Sequence, residues 1–176
     1  MLGAGSIVLN GIALSVTLGD GRTAFSRPPQ LLGASVSPDR TNARVATYRF
    51  SVSHPNTAGE PLQAIELAQQ PNLEAIRFNL DLARAETSDR SLLPSSLDLL
   101  TQPTGPDKLR IAFEPPIPPG TEFELVLKAR RNPRRGGTYL FGVEAFPRGN
   151  NSQSQFLGYG RFQFHERGDR ERQRFF

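Results

Sequence analysis

The chain contains no cysteine, no tryptophan and only two histidines. Without cysteine there is no disulfide, no thiolate nucleophile and no metal centre built on sulfur. The histidines, His54 and His165, have no second histidine or carboxylate at metal-ligand spacing, so no zinc motif exists. A calcium loop with alternating Asp and a Gly-rich phosphate cradle are missing too. So is the G-x-S-x-G elbow of many serine hydrolases. No metal and no cofactor is expected.

What is present is phenylalanine and turn formers. Twelve Phe against three Tyr supply large rings with no polar atom to satisfy, which suits an interior. Fifteen Pro and 16 Gly interrupt the 176 residues often, and that length is enough for one domain with a full core. The 21 Lys and Arg exceed the 17 Asp and Glu, for a formal charge of +4. A mild basic excess attracts phosphates, anionic lipids and acidic polysaccharides alike, so charge alone does not choose a partner.

Residues 7–18, IVLNGIALSVTL, form a mostly apolar run of signal-peptide length, too short to span a bilayer comfortably. In TAFS, Ala24 and Ser26 take the two small-residue positions of a signal-peptidase site, which places cleavage before Arg27. Residues 1–26 are therefore expected to be a leader. The mature chain is expected in the periplasm or another extracytoplasmic compartment, with no transmembrane span.

From Arg27 onward the pattern has period two. In VATYRFSVS, Ala46, Tyr48, Phe50 and Val52 share one face while Thr47, Arg49 and Ser51 share the other. That describes a strand with one buried side. IRFNL, KLRIAF and EFELVLK repeat it, so Phe50, Phe78, Phe113, Phe123 and Phe141 are expected to point inward. TYLFGVEAF and FLGYGRFQF carry aromatics on both faces and are expected as central strands. Residues 31–36, 63–69 and 97–101 are weaker strand candidates. PPIPPGT is a stiff connector, and PNTAGEP and PRGNNSQS are polar loops. Only residues 73–77 and 81–90 would allow a helical turn. The pattern predicts an all-β fold over residues 27–164: a single antiparallel β-sandwich, Ig-like in architecture, of about eight strands. Residues 165–176, HERGDRERQRFF, lose the alternation and are expected to be a basic, disordered tail.

Little of this is chemistry. KARRNPRRGG lies between EFELVLK and TYLFGVEAF, which are expected to pair as a hairpin. Asn132-Pro133 would start the turn and Gly136-Gly137 would enter the next strand. At its tip Arg130, Arg131, Arg134 and Arg135 face water, where charge discourages edge-to-edge association. Their secondary reading is an anion-binding site, because guanidinium forks grip phosphate and carboxylate. Nucleic acid is not expected, since no stacking aromatics are interleaved with the cations. Glu60 and Glu66 are the one carboxylate pair to weigh as an acid/base couple for glycoside cleavage. His54 reads as a loop residue rather than a general base. The glycines of GYGR, residues 158–161, are expected to admit a facing aromatic.

The phrases PPQLLGASVS, YRFSVSHPNTAGEPLQAIELAQ, FEPPIPPGTEFELVLKARRNP, GGTYLFGVEAFPRG and FLGYGRFQF together resemble an exported cyanobacterial family, domain of unknown function 2808. The resemblance spans residues 28–164, and AGEPLQ, PPIPPGT and RNP…YLFGVEAFP are its most specific parts. It implies a cyanobacterial source and a leader followed by one β-rich domain, and it carries no catalytic residue across. The expectation is an exported, non-enzymatic binding or structural module of the cell envelope. Its partner would be an anionic envelope surface or another envelope protein. The alternative is a carboxylate-dependent hydrolase of an envelope polysaccharide.

Overall fold

Each long alternating run becomes a strand in the computed structural model, which describes residues 16–17, 21–87 and 97–166. Two short strands, β1 (Val16–Thr17) and β2 (Thr23–Ala24), pair antiparallel ahead of the main body. The long strands follow as β3 (Gln30–Ser37), β4 (Arg44–His54), β5 (Leu62–Gln69), β6 (Phe78–Glu86) and β7 (Asp98–Gly105). The last four are β8 (Lys108–Ile117), β9 (Thr121–Arg131), β10 (Gly137–Pro147) and β11 (Gln155–Phe164). They form a four-stranded sheet, β3-β4-β9-β6, facing a five-stranded sheet, β11-β10-β5-β8-β7. All the strand pairs within these sheets are antiparallel. The fold is the all-β sandwich the periodicity predicts, with nine long strands among the described residues rather than eight.

The inward faces are the predicted ones. Ala46, Tyr48, Phe50 and Val52 of β4 are buried, as are Phe123, Leu125 and Leu127 of β9 and Leu109, Ile111 and Phe113 of β8. Phe141 is buried too, and Phe78 is partly buried against the same cluster. The rings interlock edge to face: Phe162 lies 5.0 Å from Tyr48, 5.3 Å from Phe50 and 5.7 Å from Phe141, centroid to centroid. Such T-shaped contacts add about 0.5–1.5 kcal/mol each beyond area burial. Gly160 on β11 shows how tightly the sheets close, because a Cβ there would lie 2.7 Å from the Phe50 ring. The expected close approach of an aromatic to this glycine is therefore met.

Two expectations fail. EFELVLK and TYLFGVEAF do not form a hairpin: β9 belongs to the four-stranded sheet and β10 to the five-stranded one. Both strands have complete partners elsewhere, so the loop between them crosses the sandwich. FLGYGRFQF is not central but the edge strand β11, whose outer aromatics Phe156 and Tyr159 are exposed. No helix occurs among the described residues; residues 81–86 continue β6, and Arg84, Ala85 and Glu86 pair with β9 beyond a break in register. Residues 88–96, most of the predicted leader and the tail beyond Glu166 lie outside the described residues.

Candidate functional site

The strands bring two groups of loops to opposite poles of the sandwich. At one pole the β3–β4 connection meets the β9–β10 crossing, and Asn132 joins them. Its side chain accepts a hydrogen bond from the Tyr48 hydroxyl at 2.8 Å and donates to the carbonyls of Pro38 and Arg40 at 2.7 and 2.9 Å. Its backbone N–H donates to the Ala43 carbonyl, and the Asn42 N–H donates to the Pro133 carbonyl. Asn132 is 2% exposed, so a polar side chain is buried here with its donors and acceptor all used. Burial pushes the Tyr48 phenol far above its ordinary pKa, which keeps its proton for Asn132.

This latch gathers charge. Arg40 and Arg44 come from the β3–β4 side, and Arg130, Arg131, Arg134 and Arg135 from the crossing; all six are exposed. Arg44 and Arg131 are direct cross-strand partners. Like charges placed opposite one another across an antiparallel pair are destabilising, so an anion between them would be welcome. None of the six makes an ion pair among the described residues. The backbone of the loop is already occupied: Glu74 Oε1 accepts the N–H groups of Arg134 and Arg135 at 3.0 and 3.1 Å. An incoming anion would therefore meet guanidinium groups rather than a backbone nest.

Sequence order hid Arg40 and Arg44, which stand about ninety residues from the loop they join. The available signal was Asn132 itself, a polar residue between two runs of arginine where a tip would need no amide. The four predicted arginines are exposed as expected, but on a bolted crossing rather than a free hairpin tip.

At the opposite pole His54 is 1% exposed. The Phe25 ring stands edge-on to it with centroids 5.6 Å apart, and neither ring nitrogen has a hydrogen-bond partner among the described residues. Burial pushes its pKa down to about 4; the Glu60 backbone lies near enough to oppose that shift without reaching hydrogen-bond geometry. His54 is thus neither the loop residue expected nor an accessible base: it ends β4 inside the packing. Glu60 is also covered, and burial raises its carboxyl pKa while Arg148 opposes the rise. Glu66 sits on the outer face of β5, bonded by Thr104 and 3.5 Å from the Lys108 ammonium. Glu60 stands covered in the bend before β5, whereas Glu66 faces outward from the strand, so the two carboxylates do not open on one shared cleft as an acid/base couple must. Among the described residues no group of three His, Asp or Glu is arranged to hold a metal ion, and no helix is long and apolar enough to cross a membrane.

The family model described as a protein of unknown function, DUF2808, matches residues 22–164. The chain belongs to the DUF2808 family. That match covers both poles and every long strand of this DUF2808 sandwich. No curated protein matches its sequence. Among solved structures the sandwich is similar to a cohesin module from a family 33 glycoside hydrolase of Clostridium perfringens, with 14% identity and a TM-score of 0.45, over 78% of this chain and 99% of that one. An immunoglobulin-like protein from Nocardia farcinica is similar at 12% identity and a TM-score of 0.46, over 76% and 98% of the two chains. The collagen adhesin of S. aureus is similar at 8% identity and a TM-score of 0.43, over 76% of this chain and 48% of that one.

Proposed function

We propose that this DUF2808 protein is an exported, non-enzymatic binding module of a cyanobacterial cell envelope, and that its arginine pole contacts an anionic surface. The convergence of six exposed arginines on one latched pole carries this reading. Guanidinium groups held by a rigid frame lose less entropy on gripping phosphate or carboxylate than the same groups on a loose tip. The covered His54 and the carboxylates Glu60 and Glu66, which share no cleft, speak against the polysaccharide hydrolase. Export rests on the apolar run of residues 7–18, and the periplasm or another extracytoplasmic compartment follows from it.

Sedimentation with vesicles tests the contact. The protein should co-sediment with phosphatidylglycerol vesicles, and not with phosphatidylcholine, at low ionic strength. Retention should fall steeply above ~0.1 M salt, where screening shortens to about 10 Å. Changing Arg130, Arg131, Arg134 and Arg135 to Gln should abolish retention with a melting temperature nearly unchanged, since exposed charges contribute about 0–1 kcal/mol. The matched control changes Arg167, Arg170, Arg172 and Arg174 to Gln. Equal losses from both sets would reduce the pole to generic cationic attraction and sink the proposal.

A further inference from the structure

Strict alternation along β11 would send Phe156 and Tyr159, three residues apart, to opposite faces. A β-bulge prevents that. The β10–β11 register shifts between Val143 and Glu144, so that Phe156 pairs with Glu144 and Tyr159 with Gly142. Leu157, the extra residue, packs against the core instead. Gly158 supplies the backbone for this at φ +126°, a conformation that strains any side chain. Both aromatic rings therefore stand on the outer face of the five-stranded sheet, edge to face with centroids 5.1 Å apart. They are 48% and 53% exposed, in a protein that buries most of its other rings.

The rings rest on bare backbone. A Cβ on Gly142 would lie 3.5 Å from the Phe156 ring and 3.6 Å from that of Tyr159. One ring would suffice to cover a glycine; the bulge presents two. With Gly142 and Ala68 as floor, and Glu66, Gln70 and Glu144 on the far side, they bound a cleft of about 290 Å³. That is the small end of ligand sites, the size for a ring rather than an extended chain.

The charge around the cleft is mixed. Glu66 has Lys108 at 3.5 Å, while Arg110 stands directly across β8 from Glu66 and lies 3.9 Å over the Phe146 ring. Two carboxylates, Glu66 and Glu144, thus share this outer face with three cations, Lys108, Arg110 and Arg161, so neither sign of charge dominates around the cleft. The Glu144 carboxylate has no hydrogen-bond partner among the described residues and accepts donors only. Gln70 adds an amide that donates and accepts. Aromatic faces for C–H groups, with acceptors for hydroxyls beside them, describe the surface of a saccharide. We propose that this cleft binds a neutral sugar ring, one pyranose unit of a polysaccharide, stacked on the face of one ring of the Phe156–Tyr159 pair with the other ring beside it, and with its hydroxyls on Glu144 and Gln70. The site is independent of the arginine pole and should be insensitive to salt.

The test is an NMR titration of the ¹⁵N-labelled full chain with cellohexaose, laminarihexaose, maltohexaose, xylohexaose and chitohexaose. At least one should move the amides of Gln70, Gly142, Glu144 and Tyr159 saturably below ~10 mM, ten times a millimolar Kd. The same shifts should persist when salt is raised. Tyr159→Ala and Phe156→Ala should each weaken binding by about tenfold or more. Both side chains are half-exposed, so unchanged Phe162 and Tyr48 amides will show that the fold is intact. Gln70→Ala, which touches no ring of the core, should also weaken binding and serves if either aromatic variant fails to fold. The proposal is overturned if none of the five sugars moves the cleft. It is equally overturned if tetralysine moves the cleft and the sugars do not, which would make it a cation site.

Discussion

Two buried polar side chains stand at opposite poles, and they are treated differently. Asn132 has its acceptor and both amide hydrogens engaged, while His54 has neither ring nitrogen engaged. The first costs little to bury and fixes how two loops meet. The second is tolerated because a neutral imidazole against the Phe25 ring behaves almost as an aromatic residue. Satisfied polarity thus specifies geometry at the arginine pole, and unsatisfied polarity leaves a pH liability at the other.

The largest effect should come from removing the satisfied group. Asn132→Leu leaves the Tyr48 hydroxyl and the Pro38 carbonyl without their protein partner, and leaves the Arg40 carbonyl only the long 3.4 Å hydrogen bond from the Ala43 N–H. Each orphaned buried group costs about 1–3 kcal/mol, so a loss of ~3–5 kcal/mol is expected by urea unfolding. Tyr48→Phe should cost less, and the double variant should cost less than the two singles added, by roughly the worth of their hydrogen bond. Strict additivity would show that the two residues do not act through one another.

Next comes acid. His54 titrates near 4 when folded and near 6.5 when unfolded, so the unfolded chain binds the proton first. The contribution is fully present above pH 6.5 and is lost as pH falls toward 4, by ~3 kcal/mol. Glu60 acts with the opposite sign: its raised carboxyl pKa makes the folded chain the better proton binder, so falling pH favours folding through that group. The comparison that isolates His54 is therefore His54→Leu, which should flatten the slope between pH 6.5 and 4. A variant that keeps the parental slope would place the acid sensitivity elsewhere.

Burial faces were legible because period two reports them directly: Tyr48, Phe50, Phe113 and Phe123 point where alternation sends them. Sheet membership was not, because alternation says that a face is buried and not which strand lies alongside. β9 and β10 carry equally good inward sets, and proximity in sequence suggested a hairpin that the crossing replaces. The arginine pole was half legible. Four of its residues are adjacent in sequence, but Arg40 and Arg44 join through Asn132, a contact no local pattern encodes. At the sugar cleft the clue was visible and easily misread: Phe156 and Tyr159, three apart with Gly158 between them, break alternation in the way a bulge requires.

The smallest effect concerns where the domain begins. Thr23, in β2, bridges to Ser152, and its carbonyl accepts the Gln153 N–H at 2.9 Å. The Ser26 N–H donates to the Ala58 carbonyl at 2.8 Å, and Phe25 packs against both His54 and the core. The family match also opens at residue 22. Cleavage before Arg27, the site that TAFS offers, would remove all of these contacts; a cut upstream of Arg22 would keep them. A chain begun at Arg27 should then be less stable than one begun at Arg22 by about 1–2 kcal/mol, the worth of a partly buried aromatic ring. It should also uncover His54, so that its pKa returns toward 6.5 and the acid sensitivity weakens. N-terminal sequencing of the protein from its native cell decides the matter. A mature terminus at Arg27, joined to equal stability of the two chains, would mean that residues 22–26 rest on the sandwich without belonging to it.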